Sequence, residues 1–124
     1  MKQIFESGEN YLETILVLHQ RTGFVRAIDI ATELGFSKPS VSRAMSVLRE
    51  AGHIEVARDG QITLTESGRA IAEKIYERHQ LLTEYLTALG VSPEIAAEDA
   101  CRMEHVISEE SFQKLKEHVQ NQRK

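Results

Sequence analysis

Residues 26–49 read Arg26-Ala27-Ile28-Asp29-Ile30-Ala31-Thr32-Glu33-Leu34-Gly35-Phe36-Ser37-Lys38-Pro39-Ser40-Val41-Ser42-Arg43-Ala44-Met45-Ser46-Val47-Leu48-Arg49. The fold turns on this stretch. The apolar spacing over 27–34 predicts a short helix with Ile28, Ile30, Ala31 and Leu34 inward. Gly35-Phe36 predicts a tight turn. Ser37 then has the chemistry of a helix cap, and Pro39 sits in the first turn, where a missing N–H costs little. Val41, Ala44, Met45 and Leu48 form the buried stripe of this second helix, and Gly52 closes it. Two short helices joined by a tight turn make a helix-turn-helix, a unit that reads DNA.

Working outward, the texture changes after Gly52. His53-Ile54-Glu55-Val56-Ala57 and Gln61-Ile62-Thr63-Leu64 alternate apolar and polar residues, and Asp59-Gly60 between them is a strong hairpin signal. Upstream, Tyr11, Leu12, Ile15, Leu16 and Leu18 keep helical spacing over 8–21, ended by Gly23. Helix, helix, turn, helix, hairpin is the order of a winged helix-turn-helix. Downstream everything reads as helix: 66–89 capped by Thr65 and stopped by Gly90, 93–106 opened by Ser92-Pro93-Glu94, and 109–121 capped by Ser108. The expected architecture is therefore mainly α. A winged helix-turn-helix with a small β-hairpin wing occupies 1–65, and an all-helical dimerisation and metal-binding domain occupies 66–124. The apolar stripes of the second half are wider than one chain needs, which predicts burial against a second copy.

The 124 residues, 41% of them hydrophobic, suit one compact unit or two small ones. No apolar run approaches the roughly 20 residues that span a bilayer. Met1-Lys2-Gln3-Ile4-Phe5-Glu6 lacks the apolar stretch and small-residue cleavage site of a signal peptide, so a cytoplasmic location is expected. The single cysteine excludes an internal disulfide. A net charge of −4 argues against a protein that coats nucleic acid non-specifically. Yet charge is local here. Residues 37–49 hold Lys38, Arg43 and Arg49 and no acid, whereas 66–124 carry 8 Lys/Arg against 11 Asp/Glu. The expected partner is double-stranded DNA, read as a palindrome by a homodimer, because one helix makes too few base contacts for a specific site. Ser37, Lys38, Pro39, Ser40, Ser42 and Arg43 are the candidate DNA-binding residues of the reading helix. Its N-terminus suits phosphate, its small residues allow close approach, and Arg43 can donate to guanine or phosphate. Arg58 at the hairpin tip and Arg26 at the start of the preceding helix are candidates for flanking phosphates.

Cys101, Glu104 and His105 fall at i, i+3, i+4 within a helix-sized run, a spacing that places a thiol, a carboxylate and an imidazole on one face. These side chains bind transition metals, although a buried cysteine beside a surface Glu–His pair would show the same spacing. Asn10 and Glu13 stand at i, i+3 on the first helix, and His79 lies mid-way along the long helix. Their polar atoms would complete a metal site drawn from three helices.

Three stretches carry a resemblance. Ser7-Gly8-Glu9-Asn10-Tyr11-Leu12-Glu13-Thr14-Ile15, Arg78-His79-Gln80-Leu81-Leu82 and Asp99-Ala100-Cys101-Arg102-Met103-Glu104-His105-Val106-Ile107-Ser108 resemble, in order, the opening helix and the two metal-binding segments of the diphtheria toxin repressor family. The resemblance covers residues 7 to about 119 and implies a homodimeric repressor of metal-uptake genes activated by Fe(II) or Mn(II), with Zn(II), Co(II) or Ni(II) able to substitute in vitro. It implies that Glu104 and His105 are ligands in both the iron and manganese branches. Glu13 and His79 match ligands of the manganese branch, and His79 also matches an ancillary ligand of the iron branch. Cysteine at position 101 is the iron-branch residue, where manganese-type members carry Glu. Position 10 is a ligand in both branches as Asp or Met, and here it is Asn10. Positions 83 and 97 supply ancillary ligands in the iron branch, and here they are Thr83 and Ala97. The chain is expected to have the short body of manganese regulators, without the SH3-like domain of longer members.

A switch follows from charge alone. Glu13, Glu104 and a Cys101 thiolate repel one another if close, and a divalent cation would remove that repulsion and fix the first helix. The expected function is a metal-dependent regulator rather than an enzyme. The alternative is a DNA-binding regulator of the same fold with lost or altered metal response. His19, His53 and His118 are expected as surface or turn residues.

Overall fold

A computed structural model describes the backbone of residues 4–122 and the side chains of residues 8–122. Residues 1–3, part of the stretch weighed above as a signal peptide, lie outside the described residues. The elements run α1 (Ile4–Thr22), α2 (Ala27–Leu34), α3 (Lys38–Glu50), β1 (Ile54–Val56), β2 (Ile62–Leu64), α4 (Glu66–Ala88), α5 (Pro93–Met103) and α6 (Glu109–Gln122). The chain divides into two compact units, residues 1–73 and 74–124, and the division falls within α4.

In the first unit, α1 packs against α2, α3 and β2, and α2 packs against α3. Ile15, Val25, Ile30 and Val41 are fully buried there, with Leu12, Leu16, Met45, Leu48, Ile54 and Ile62 almost so. Burying each such side chain contributes about 1.5–3 kcal/mol. The tight turn between α2 and α3 forms as the residues require. Gly35 adopts φ 70°, and its N–H donates to the Ala31 carbonyl at 2.8 Å, a left-handed cap that a residue with a Cβ adopts only with strain. Ser37 caps α3 by accepting from the Ser40 N–H, and Pro39 lies in the first turn.

The hairpin pairs antiparallel in the register Ile54↔Leu64, Glu55↔Thr63 and Val56↔Ile62. Its inner strand is tied to the body by the Ile62 N–H donating to the Val25 carbonyl at 2.7 Å. Thr65 accepts from the Gly68 N–H and donates to the Gly52 carbonyl, so one hydroxyl both caps α4 and ties it to the end of α3. Gly68 is required by packing. A Cβ there would collide with the backbone oxygen of His53.

One expectation on α2 needs correction. Ile28 does not point inward but is 46% exposed. A two-turn helix buries only one narrow stripe, and Ile30 and Ala31 occupy it. Ile28 instead lines a concave surface toward the wing.

The second unit is helical. Leu81, Phe112 and Val119 form its buried cluster, with Tyr85, Ile107 and Leu115 packed against it. Helix α5 ends at Met103, earlier than the apolar spacing indicates, so Glu104 and His105 lie in the turn that follows it. Leu89, Ile95 and Val106 are exposed on this unit, the last at 70%. Among the described residues, no helix is long and apolar enough to cross a membrane.

Candidate metal centre and nucleic-acid interface

The second unit gathers a polar group around one carboxylate. Glu104 is fully buried, and its Oε1 lies 2.9 Å from His79 Nδ1. Its Oε2 lies 3.4 Å from His105 Nε2 and has no hydrogen-bond partner. A carboxylate buried without full compensation is costly. A buried carboxylate with an imidazole beside each oxygen, one of those oxygens without a hydrogen bond, is a donor set that a divalent transition metal satisfies. When the His79 proton is on Nδ1, the ring donates to Glu104 and its Nε2 keeps a lone pair.

The local sequence explains the arrangement. His79 comes from the middle of α4, while Glu104 and His105 come from the turn after α5. Cys101, two residues before the end of α5, is exposed. The side chain of His105 is only 7% exposed. Asn10 and Glu13 belong to the first unit, on α1. Glu13 is buried, and the Asn10 carbonyl accepts from the Thr14 hydroxyl at 2.8 Å. Thr83 is partly buried, and its hydroxyl oxygen has no hydrogen-bond partner.

Arg78 was not singled out as a site residue, yet it is buried beside this group. The signal was available: Ile75, Arg78 and Leu82 share one inward stripe of α4 at i, i+3, i+7. All three are buried.

The first unit presents the DNA-facing candidates together. Ser37, Lys38, Pro39, Ser42 and Arg43 are exposed along the first two turns of α3, and Arg58 is exposed in the hairpin turn. Ser40 is only partly exposed. Its hydroxyl accepts from Ser37 at 2.9 Å and lies 3.4 Å from Arg43 Nη2. Arg26, expected as a phosphate contact, is already engaged within the protein. Its Nε donates to the Asp59 carbonyl at 3.0 Å, and its guanidinium lies 4.6 Å from the centroid of the Phe24 ring. It therefore ties the wing to the start of α2. Arg26, Lys38 and Arg49 border a concavity of about 430 Å³ between α3 and the wing, floored by Ile28, Met45 and Val56.

Residues 3–62 match the N-terminal DNA-binding domain of the iron-dependent repressors. Residues 65–124 match the metal-binding and dimerisation domain of the same family. The chain belongs to the iron-dependent repressor family. The transcriptional regulator MntR of Escherichia coli is 40% identical over 104 residues, which cover 84% of this chain and 67% of that protein. The iron-dependent repressor IdeR of Mycobacterium tuberculosis is 34% identical over 116 residues, 93% of this chain and 50% of that one. Among solved structures, a manganese-dependent transcriptional repressor in complex with manganese superposes with a TM-score of 0.83 at 26% identity, covering 90% of this chain and 52% of that one. The chain thus spans about two thirds of the MntR relative and about half of the other two. Members of this family are metal-dependent transcriptional repressors that bind DNA, and the mainly helical winged fold expected from the sequence is the one observed.

Proposed function

We propose that the chain is a homodimeric, cytoplasmic repressor that binds a palindromic operator when Fe(II) or Mn(II) is bound, and that it controls metal-uptake genes. One observation carries the metal half of this reading: the Glu104 carboxylate is fully buried, with His79 beside one oxygen and His105 beside the other, and the second oxygen has no hydrogen bond. The membership of both halves in one repressor family supports the rest.

His79, Glu104 and His105 are the residues we assign to hold the metal. Cys101, Glu13 and Asn10 are proposed as further ligands on the strength of the family resemblance. The bound cation supplies positive charge that offsets the buried carboxylates. With Glu13 and Asn10 of α1 among the proposed ligands, metal binding would restrain α1, which packs against α2 and the reading helix α3. Restraint lowers the ordering cost of docking two reading helices on one duplex, so metal raises DNA affinity.

On the DNA side, residues 1–65 are proposed as the reading domain. Lys38 and the N-terminus of α3 are assigned to phosphate, Ser42 and Arg43 to base edges or phosphate, and Arg58 to the flanking backbone. Arg26 acts through the wing that it holds.

The test is an anaerobic binding titration against a duplex selected from a randomised pool in the presence of Mn(II). Tighter binding with Fe(II) or Mn(II) than with chelator is expected, and equal binding contradicts the reading. The second reading, a regulator of this fold with altered metal response, draws on Asn10, Thr83 and Ala97. A Cys101→Ala chain with an unchanged metal response favours it.

A further inference from the structure

Arg78 is a buried cation that spends its donors on backbone. Its Nη1 donates to the Glu104 carbonyl at 3.1 Å and to the Ile107 carbonyl at 2.9 Å. Its Nη2 donates to Glu109 Oε1 at 2.9 Å, and the guanidinium lies 5.3 Å from the centroid of the Phe112 ring. The two carbonyls bracket the turn between α5 and α6, and that turn carries Glu104 and His105. Carbonyls at a helix C-terminus lack intrahelical partners and carry partial negative charge. A planar fork satisfies two of them and a carboxylate at once, which a compact ammonium at the end of a flexible stem does not do in the same geometry.

Stability alone is a poor reason for this residue. Its Nε is buried without a hydrogen-bond partner. Buried ion pairs are often replaceable by apolar residues without loss of stability. What Arg78 does uniquely is fix the backbone from which two assigned ligands project.

We propose that Arg78 is a positioning residue for the metal centre, clamping the turn at 104–107 so that the Glu104 carboxylate and the His105 imidazole are held ready for a cation. This rests on the metal-binding reading above. Groups that orient metal ligands typically change metal affinity by about 10- to 100-fold when altered.

The test titrates the full chain with Mn(II) and follows free and bound metal by electron paramagnetic resonance. Arg78→Lys is expected to weaken Mn(II) binding by about 10- to 100-fold and to change the line shape of the bound ion. Glu109→Gln, altering an exposed partner with little risk to folding, is expected to give a smaller weakening of the same sign. Leu115→Ala, which loosens the same helical core without touching Arg78, is expected to lower Tm and leave Mn(II) affinity in place. Absence of Mn(II) binding by the parent chain overturns the metal reading itself. A parent that binds, with affinity unchanged in Arg78→Lys and Glu109→Gln, overturns the role of Arg78 alone. So does a weakening in Arg78→Lys that Leu115→Ala reproduces at equal loss of Tm.

Discussion

Glu104 concentrates the cost and the use of the centre in one side chain. It is fully buried, and one of its oxygens lacks a hydrogen-bond partner. Replacing it with Gln keeps the shape and removes the charge. Glu104→Gln is therefore expected to weaken Mn(II) binding by at least 100-fold, while the metal-free Tm holds or rises because a buried charge is gone. A fall in metal-free Tm without loss of metal affinity contradicts this. Glu109 offers a second check at this scale. Its carboxyl is held below the usual glutamate range, first by the Gln113 amide and then by Arg78. A folded pKa below the unfolded one contributes stability that is present above the ordinary glutamate range and is lost as pH falls through the depressed value. Carboxyl NMR titration should find Glu109 below the ordinary glutamate value, and Arg78→Lys should move it up. Glu104 and His105 were legible as candidates because a carboxylate and an imidazole side by side at a fixed spacing from a thiol form a distinctive pattern, although Cys101 itself is exposed. Arg78 was not, because an arginine in a helical stripe is recognised as buried only once its partners, 26 to 31 residues away, are known.

Elements were legible where local chemistry dictates them. The turn at Gly35, the Ser37 cap and the Asp59-Gly60 hairpin follow from backbone preferences, and each formed where the residues require it. Two features depended on tertiary contacts and were not legible. Ile28 faces outward because a two-turn helix has room for one buried stripe. Helix α5 ends at Met103, and the Glu104 carbonyl just past that end is taken by Arg78. Gly68 tests an element junction. Alanine favours helix interiors over glycine by about 1 kcal/mol, yet here its Cβ would collide with the His53 carbonyl oxygen. Gly68→Ala is expected to lower stability by about 1–3 kcal/mol, measured by urea denaturation, and a gain in stability contradicts the packing described. The reading helix makes a separate prediction. Lys38→Ala, which removes the proposed phosphate contact, should weaken binding to all duplexes alike and reduce the salt slope by about 1. Arg43→Ala should narrow the gap between selected and random duplexes if its guanidinium reads a base.

At the scale of the whole molecule, family membership joins a DNA-reading unit and a metal-binding helical unit in one chain. Charge is also uneven along the chain, with no acid in residues 37–49 of a chain of net charge −4. The proposed coupling says that a ligand set in the helical half governs a surface in the other. A linkage of this kind is reciprocal, so DNA must raise metal affinity by the factor by which metal raises DNA affinity. The central claim is tested most directly by anaerobic fluorescence anisotropy with a duplex selected in the presence of Mn(II). The titration is run with Fe(II), with Mn(II), with Zn(II) and with chelator. The account predicts binding at least tenfold tighter with Fe(II) or Mn(II) than with chelator, and loss of that difference in Glu104→Gln. Equal affinity with and without chelator would contradict it.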